Sequence, residues 1–361
     1  MIEIEKTIES RKPAARGAQD LRVLRHSLVT GASGCVGRAI VKELLNAGIR
    51  VNALVRDPGS MVAALGSLSE HPRLRVMSGD LANSDELRIS LEGVDSVFHA
   101  AAKVHAIPRS IAGESEFYQV NVEGTRNLLM AIKARPVRAF VFFSTIAVYG
   151  RQPHETLTEE TPARPDTPYG RSKYDGEKLV MDVLSETDVS PIILRLPLVC
   201  GPGDRGNLMR MIRAIDRRRF LLLDGGKAKK SIVFSKDVAA VAAKAASLSA
   251  LAGETFLIAN PEPFEVRRIA EAAATELERR LPRISLSAVH VAAILDALGK
   301  GFALLGYDFP VKAEDIRTLA SDRICDVSKM TLKLGYVSGL DLSTGIREAV
   351  LWYKNSGSTV L

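Results

Sequence analysis

The chain has 361 residues, of which 46% are hydrophobic and 25% charged, and its formal charge is +7. This balance excludes a disordered chain and a polytopic membrane protein, and the length predicts one large domain with an appended lobe. The basic residues are scattered, with short clusters at Arg217-Arg218-Arg219 and Lys227 to Lys230, and no nucleic-acid module accompanies them. The charge has three readings, nucleic acid, an acidic membrane surface or anionic small molecules; the first is disfavoured, and phosphate-bearing ligands fit.

In chain order, residues 1–23 are mixed in charge without a sustained period and are expected to form a mobile or loosely docked extension. No apolar stretch of the signal-peptide kind follows, so a cytoplasmic protein is expected. From Leu24 an apolar run ends at Val29-Thr30, glycines follow, and Ala39 to Leu45 reads as a helix closed by Gly48. Strands are predicted at Val51 to Val55, Leu74 to Met77, Val94 to His99, Ala139 to Ser144 and Ile192 to Leu196. Between them lie helical patterns at Asp85 to Leu91, Asn121 to Lys133 and Tyr169 to Ser185. Such alternation predicts an α/β fold, a doubly wound parallel sheet covered on both faces by helices.

The dinucleotide-binding unit is expected over 24–202. After Pro202 shorter segments, among them Ser231 to Phe234, Val238 to Leu248 and Thr255 to Ile258, predict a smaller substrate-binding lobe over 203–361, interleaved with the end of the sheet. The most apolar long stretch, Leu286 to Gly306, contains His290, Asp296 and Lys300. These would be costly at a bilayer centre, so a buried or half-buried helix is predicted rather than a membrane span. Cys35, Cys200 and Cys325 lack the paired spacing of a zinc or redox site and read as structural thiols.

The first strand runs into Gly31-Ala32-Ser33-Gly34-Cys35-Val36-Gly37 and then a helix. Glycines there allow a tight turn and let a pyrophosphate approach the amides at the positive end of the helix dipole. The second strand ends in Arg56-Asp57, where an acid would bond the ribose 2′-hydroxyl and an arginine a 2′-phosphate. Arg56 comes first, which leans the cofactor towards NADP(H); Asp57 keeps NAD(H) open. Asp80-Leu81 is a candidate boundary of the adenine pocket, and Ala100-Ala101-Ala102 would let the fourth strand pass close to the cofactor. Each of these has a plain loop reading beside it.

Tyr169 and Lys173 are four residues apart, hence on one face of a helix. A tyrosine of pKa about 10 needs a nearby positive charge to exchange protons near neutrality, and Lys173 with a nicotinamide would supply it. Thr145, ending the preceding strand, would present a hydroxyl to a substrate oxygen.

With these motifs in this order, the chain resembles the extended short-chain dehydrogenase/reductase family, the group of UDP-galactose 4-epimerase and the nucleotide-sugar dehydratases. The resemblance spans about Leu24 to Tyr353 and includes the glycine turn, Asp80-Leu81, His99-Ala100-Ala101, Asn121 to Thr125, the Thr145 strand, Tyr169/Lys173, and Arg195 to Gly203 with Pro197. It implies a triad of Thr145, Tyr169 and Lys173, a supporting role for Asn121, a second role for Lys173 on the nicotinamide ribose, and a homodimer. It also places Asn207 and Lys230 near the diphosphate of a UDP-sugar.

Related 4,6-dehydratases carry an Asp-Glu pair directly after the catalytic threonine. Here Ile146 and Ala147 stand there and cannot transfer a proton. The arrangement from Gly201 to Leu208, with Lys229-Lys230-Ser231, most resembles bacterial reductases that act at C4 of UDP-4-keto-6-deoxy-N-acetylhexosamine for surface polysaccharide. A UDP-sugar 4-epimerase with tightly held NAD is the first alternative. A carbonyl reductase of steroid type shares the triad, and a dinucleotide sensor without turnover is the reading from another class.

Overall fold

Strands β1 (His26–Thr30), β2 (Arg50–Val55), β3 (Leu74–Ser78), β4 (Ser96–His99), β5 (Ala139–Thr145), β6 (Ser190–Leu196) and β7 (Glu254–Leu257) form one seven-stranded parallel sheet. Its order is β7-β6-β5-β4-β1-β2-β3. The computed structural model describes residues 22–104, 111–133, 135–151, 156–282, 284–304 and 313–355. Residues 1–21 of the expected extension lie outside this set. Arg22 donates from its backbone to Ser247 and from its side chain to Arg138 O and Ser190 Oγ.

The strands are covered on both faces, as their near-continuous apolar sequences require. Every residue of β6 is buried, as is every residue of β5 up to its last, Thr145. On one face, helices α1 (Cys35–Asn46) and α8 (Ser235–Ser247) pack over the sheet through Ile40, Leu44, Val238 and Val241. The other face is closed through Leu87, Leu128 and Val180 on α3 (Ser84–Ser90), α5 (Gly124–Ile132) and α6 (Pro168–Leu184). Between β2 and α3 lies α2 (Pro58–Leu65), and α4 (Ile111–Tyr118) enters α5 through a π-helical turn, Gln119–Glu123.

The order reverses direction at β1, whose neighbours β4 and β2 lead away to opposite edges. In open α/β sheets, ligands bind beyond the carboxyl ends of the strands at this switch point. The glycine turn leaves β1 there.

Past β6 the chain builds a separate core from α7 (Asn207–Asp216), α9 (Val266–Leu277) and α12 (Leu342–Asn355), centred on Ile212, Ala270 and Ile346. The short strands Leu198–Cys200 and Ile232–Phe234 pair in parallel beneath it, and Leu222–Leu223 pairs in parallel with Ser285–Leu286. Helix α10 (Ala288–Leu304) falls on the predicted apolar stretch and is covered on one side only. Among its described side chains only Ala288 and Ala292 are buried, while Val289, Ile294 and Leu298 face outward. The helix packs chiefly on α11 (Ala313–Ala320), so one side is covered and the rest of an apolar circumference is not. No described helix is long and apolar enough to cross a membrane.

Candidate active site

The turn after β1 is built for close approach. Gly31 has φ 65°, and a Cβ there would lie 2.6 Å from the Ala101 backbone; one on Gly37 would lie 2.2 Å from Gly31 O. Any side chain at either position would separate β1 from β4 or from α1. Gly34 is the N-cap of α1 and offers no side-chain cap, and the first turn carries no acid. The amides of Cys35, Val36 and Gly37 thus head a helix with no side-chain cap and no acid in its own first turn, beside half-buried Ser33. These residues fit the pyrophosphate of a dinucleotide. Burial, reinforced by Asp204, pushes the Cys35 thiol up to about 12, so it is no nucleophile.

At the end of β2, Arg56 and Asp57 are both exposed. Asp57 is committed: its carboxylate caps α2, accepting from Gly59 N at 3.0 Å and Ser60 N at 3.2 Å. Asp80 is exposed, with Oδ1 accepting from Ala82 N at 2.9 Å, whereas Leu81 is buried and its carbonyl accepts from Asn127 Nδ2. Ala100, Ala101 and Ala102 are half-buried where β4 leaves the sheet.

Tyr169 and Lys173 lie in the first turns of α6. Thr167 starts the helix by accepting from Gly170 N at 3.0 Å, with Pro168 in the first turn. A Cβ on Gly170 would lie 2.6 Å from Ala147 O, so glycine lets the start of α6 close on the turn that follows Thr145. This contact sets the Thr145 hydroxyl near the Tyr169 phenol, where it opposes the dominant effect of burial. Burial nonetheless holds the phenol up at about 12. Lys173 is buried, its Nζ 4.0 Å from the centroid of Phe142, and burial pulls it down to about 7 with Glu177 opposing. The depression of Tyr169 expected from Lys173 is therefore not supplied by the chain itself.

Asn121 ties these parts together. Its Oδ1 accepts from Lys103 N at 2.7 Å, and its Nδ2 donates to Lys103 O at 3.1 Å and to Ser172 Oγ at 2.9 Å. The line continues beneath the sheet edge: Thr125 Oγ1 donates to Asn121 O at 2.7 Å, and His99 Nε2 lies 2.9 Å from Thr125 Oγ1. Because the Thr125 proton is already spent on Asn121, His99 must donate from Nε2. Its Nδ1 then accepts from Thr30 Oγ1 at 2.7 Å. Burial, then the Lys173 charge, holds His99 down at about 3, in keeping with a neutral ring.

The sequence motifs did not assign His99, nor a buried pair behind Lys173. Glu177 accepts from Arg195 Nη2 at 2.7 Å, and Arg195 Nη1 donates to the Tyr149 hydroxyl at 2.8 Å. One signal was present: Tyr169, Lys173 and Glu177 continue a four-residue spacing along one helix face. Ser144 Oγ, next to Thr145, is buried without a partner among the described residues.

Pro197 is half-buried between β6 and the strand Leu198–Cys200. Asn207 is the exposed first residue of α7. Lys230 is occupied: Nζ donates to Thr318 O at 3.0 Å and Ser321 O at 2.5 Å, and burial, then Arg323, lowers it to about 8. Two of its three protons hold the end of α11.

A model of the NAD dependent epimerase/dehydratase family matches residues 27–259. The chain is similar to a 2-alkyl-3-oxoalkanoate reductase of Stenotrophomonas maltophilia, 30% identical over 67% of this chain and 72% of the relative. It is similar to a dTDP-glucose 4,6-dehydratase of Streptomyces griseus, 37% identical over 43% of this chain and 48% of the relative. Its fold matches the UDP-glucuronic acid 4-epimerase of Bacillus cereus solved with NAD, at a TM-score of 0.73 and 21% identity over 92% of this chain and 99% of that one. The chain belongs to the NAD dependent epimerase/dehydratase family and is an NAD(P)-dependent enzyme of the short-chain dehydrogenase/reductase class.

Proposed function

We propose that this enzyme works by hydride transfer at C4 of a UDP-linked sugar, as a 4-epimerase that retains its NAD. The observation that carries the reading is the approach of the Thr145 and Tyr169 hydroxyls at the head of α6, with Lys173 one turn behind and the two positions directly after Thr145, Ile146 and Ala147, free of any proton-active group. Elimination of water needs a further acid and base at Ile146 and Ala147. Epimerisation needs one proton relay, since the proton leaves and returns at the same oxygen.

In that reaction Thr145 holds the C4 oxygen, and Tyr169 takes its proton when the carbon is oxidised and gives it back when the carbon is reduced. The nicotinamide supplies the hydride acceptor and donor. Lys173 holds positive charge beside Tyr169 and positions the nicotinamide ribose. Asn121, through Ser172 and Lys103, fixes the start of α6 against the loop leaving β4. Glycine-turn amides hold the pyrophosphate, and Asn207, with the third proton of Lys230, reaches the UDP diphosphate. The fold relative solved with NAD and named a UDP-glucuronic acid 4-epimerase supports this assignment.

A second reading, C4 reduction of a UDP-4-keto-6-deoxy-N-acetylhexosamine with NADPH, draws support from a different observation. Capping of α2 engages Asp57 and leaves Arg56 as the side chain available to a 2′-phosphate. One experiment separates the two: the dinucleotide released on denaturing the purified protein, followed by incubation with UDP-GlcNAc. Stoichiometric NAD with formation of UDP-GalNAc, and no net cofactor consumption, is the expected result. Little bound dinucleotide, with NADPH oxidised only when the 4-keto sugar is supplied, replaces epimerase by reductase. Turnover of apolar ketones alone removes the nucleotide-sugar reading altogether.

A further inference from the structure

The C-terminal lobe carries an apolar face edged with arginine that none of the chemistry above uses. Its centre is the two-stranded ribbon of Leu222–Leu223 and Ser285–Leu286, with Ser285 opposite Leu222 and Leu286 opposite Leu223. Extending that register by one residue sets Ile284 opposite Leu221. Side chains of parallel strands alternate in phase, so Leu221, Ile284 and Leu286 share one face, while Leu222 is buried on the other. Ile284 is 74% exposed, and Leu221 and Leu286 are exposed beside it. The chain passes from this ribbon directly into α10, where Ala288 N donates to Asp224 Oδ1. That helix adds exposed apolar side chains of its own, Val289 at 75% and Ile294 at 60%, alongside exposed His290 and Asp296.

The basic edge lies at the other end of the ribbon. Both approaching segments leave helices through left-handed turns, at Arg218 with φ 56° and at Glu278 with φ 57°. Arg217, Arg218 and Arg219 therefore precede one strand, and Arg279 and Arg280 the other; all five are exposed. The two groups are joined by Arg279, which pairs with Asp216 at 3.1 Å. The other four form no ion pair among the described residues. Arginine near a helix C-terminus is favoured by the dipole, but that influence fades within the last turn and does not call for a run of three followed by apolar residues facing water.

We propose that this face docks on an anionic lipid surface, with the ribbon and α10 entering the headgroup boundary and the arginines meeting lipid phosphates. Exposed apolar area bordered by a basic cluster is the physical signature of an interfacial membrane contact. A second copy of the chain would bury the apolar residues but offers no identified anion for the four arginines without an ion pair among the described residues, which lipid phosphates supply. The proposal is independent of the reaction at Tyr169, from which none of these residues is drawn.

The test is co-sedimentation of the full chain with phosphatidylcholine vesicles and with vesicles of about one-third phosphatidylglycerol. Binding to the anionic vesicles alone, weakening as salt is raised, is expected. Arg217→Glu/Arg219→Glu/Arg280→Glu should lower partitioning by about a hundredfold, at roughly fivefold or more per basic residue. Ile284→Ser/Val289→Ser should weaken it with the charge intact, and both variants should keep wild-type Tm and cofactor binding. Failure of the wild type to sediment with anionic vesicles overturns the proposal, as does equal sedimentation of both variants. A dimer that Ile284→Ser/Val289→Ser dissociates, or binding to polyglutamate that matches binding to the vesicles, also overturns it, in favour of a second copy or an acidic protein.

Discussion

Arg195 on β6 clasps Glu177 on α6 through Nη2 at 2.7 Å, one helical turn beyond Lys173. Both partners are buried, and the same guanidinium reaches Tyr149 on the turn that follows Thr145. This pair ties the catalytic helix to two neighbouring strands behind the site. Removing one charge leaves the other buried and unmatched, so Glu177→Leu should destabilise the fold by about 3–5 kcal/mol in urea. Arg195→Met added to it should restore much of that loss. Single and double variants of equal stability would make the clasp dispensable.

Tyr169→Phe should fold and bind cofactor normally while turnover falls about 10²-fold or more, the effect of removing a general acid and base. Thr145→Val should also lose turnover, because it removes the hydroxyl that lies near the Tyr169 phenol. Lys173→Ala should weaken cofactor binding as well, which isothermal titration would read. Activity of Tyr169→Phe within a few-fold of wild type would take the phenol out of the mechanism.

The choice between cofactors turns on the capping of α2. Because Asp57 is held by Gly59 N and Ser60 N, Arg56→Ala should weaken NADPH by about 1–3 kcal/mol and leave NADH nearly unchanged. Equal loss for both cofactors would make Arg56 a structural residue.

The features legible in the sequence were those set by contacts between near neighbours. The glycine turn, the four-residue spacing of Tyr169 and Lys173, and the strand ending at Thr145 are local patterns, and the alternation of strands and helices carries the sheet with it. Lys230 shows what local reading misses. Its charge is visible in sequence, but its partners are Thr318 and Ser321, 88 and 91 residues away. Helix α10 shows a related limit: its apolar composition predicts a buried or half-buried helix, but not which side a neighbour covers. His99 sits in an ordinary strand end, and only the approach of Thr30 and Thr125 from two other elements makes it a junction.

That junction makes His99 an acid-sensitive element of the fold. Its imidazole titrates near 3 in the folded chain against an ordinary 6.5. For a base whose folded value is depressed, the unfolded chain binds the proton first as pH falls. Stability is therefore full above about 6.5 and declines between about 6.5 and 3, by up to roughly 4 kcal/mol at the low end. Carboxylates lose stability over part of the same range, so the comparison must be with a chain that lacks the titrating ring. His99→Asn should be less stable than wild type at pH 7, since it cannot reach both Thr30 and Thr125. Its deficit should shrink steadily in urea melts as pH falls from 7 to 4, because only the wild type must protonate on unfolding. A deficit constant across that range, or a His99 carbon resonance that shifts to the charged form near pH 6, would show that the ring is not held neutral between the two threonines.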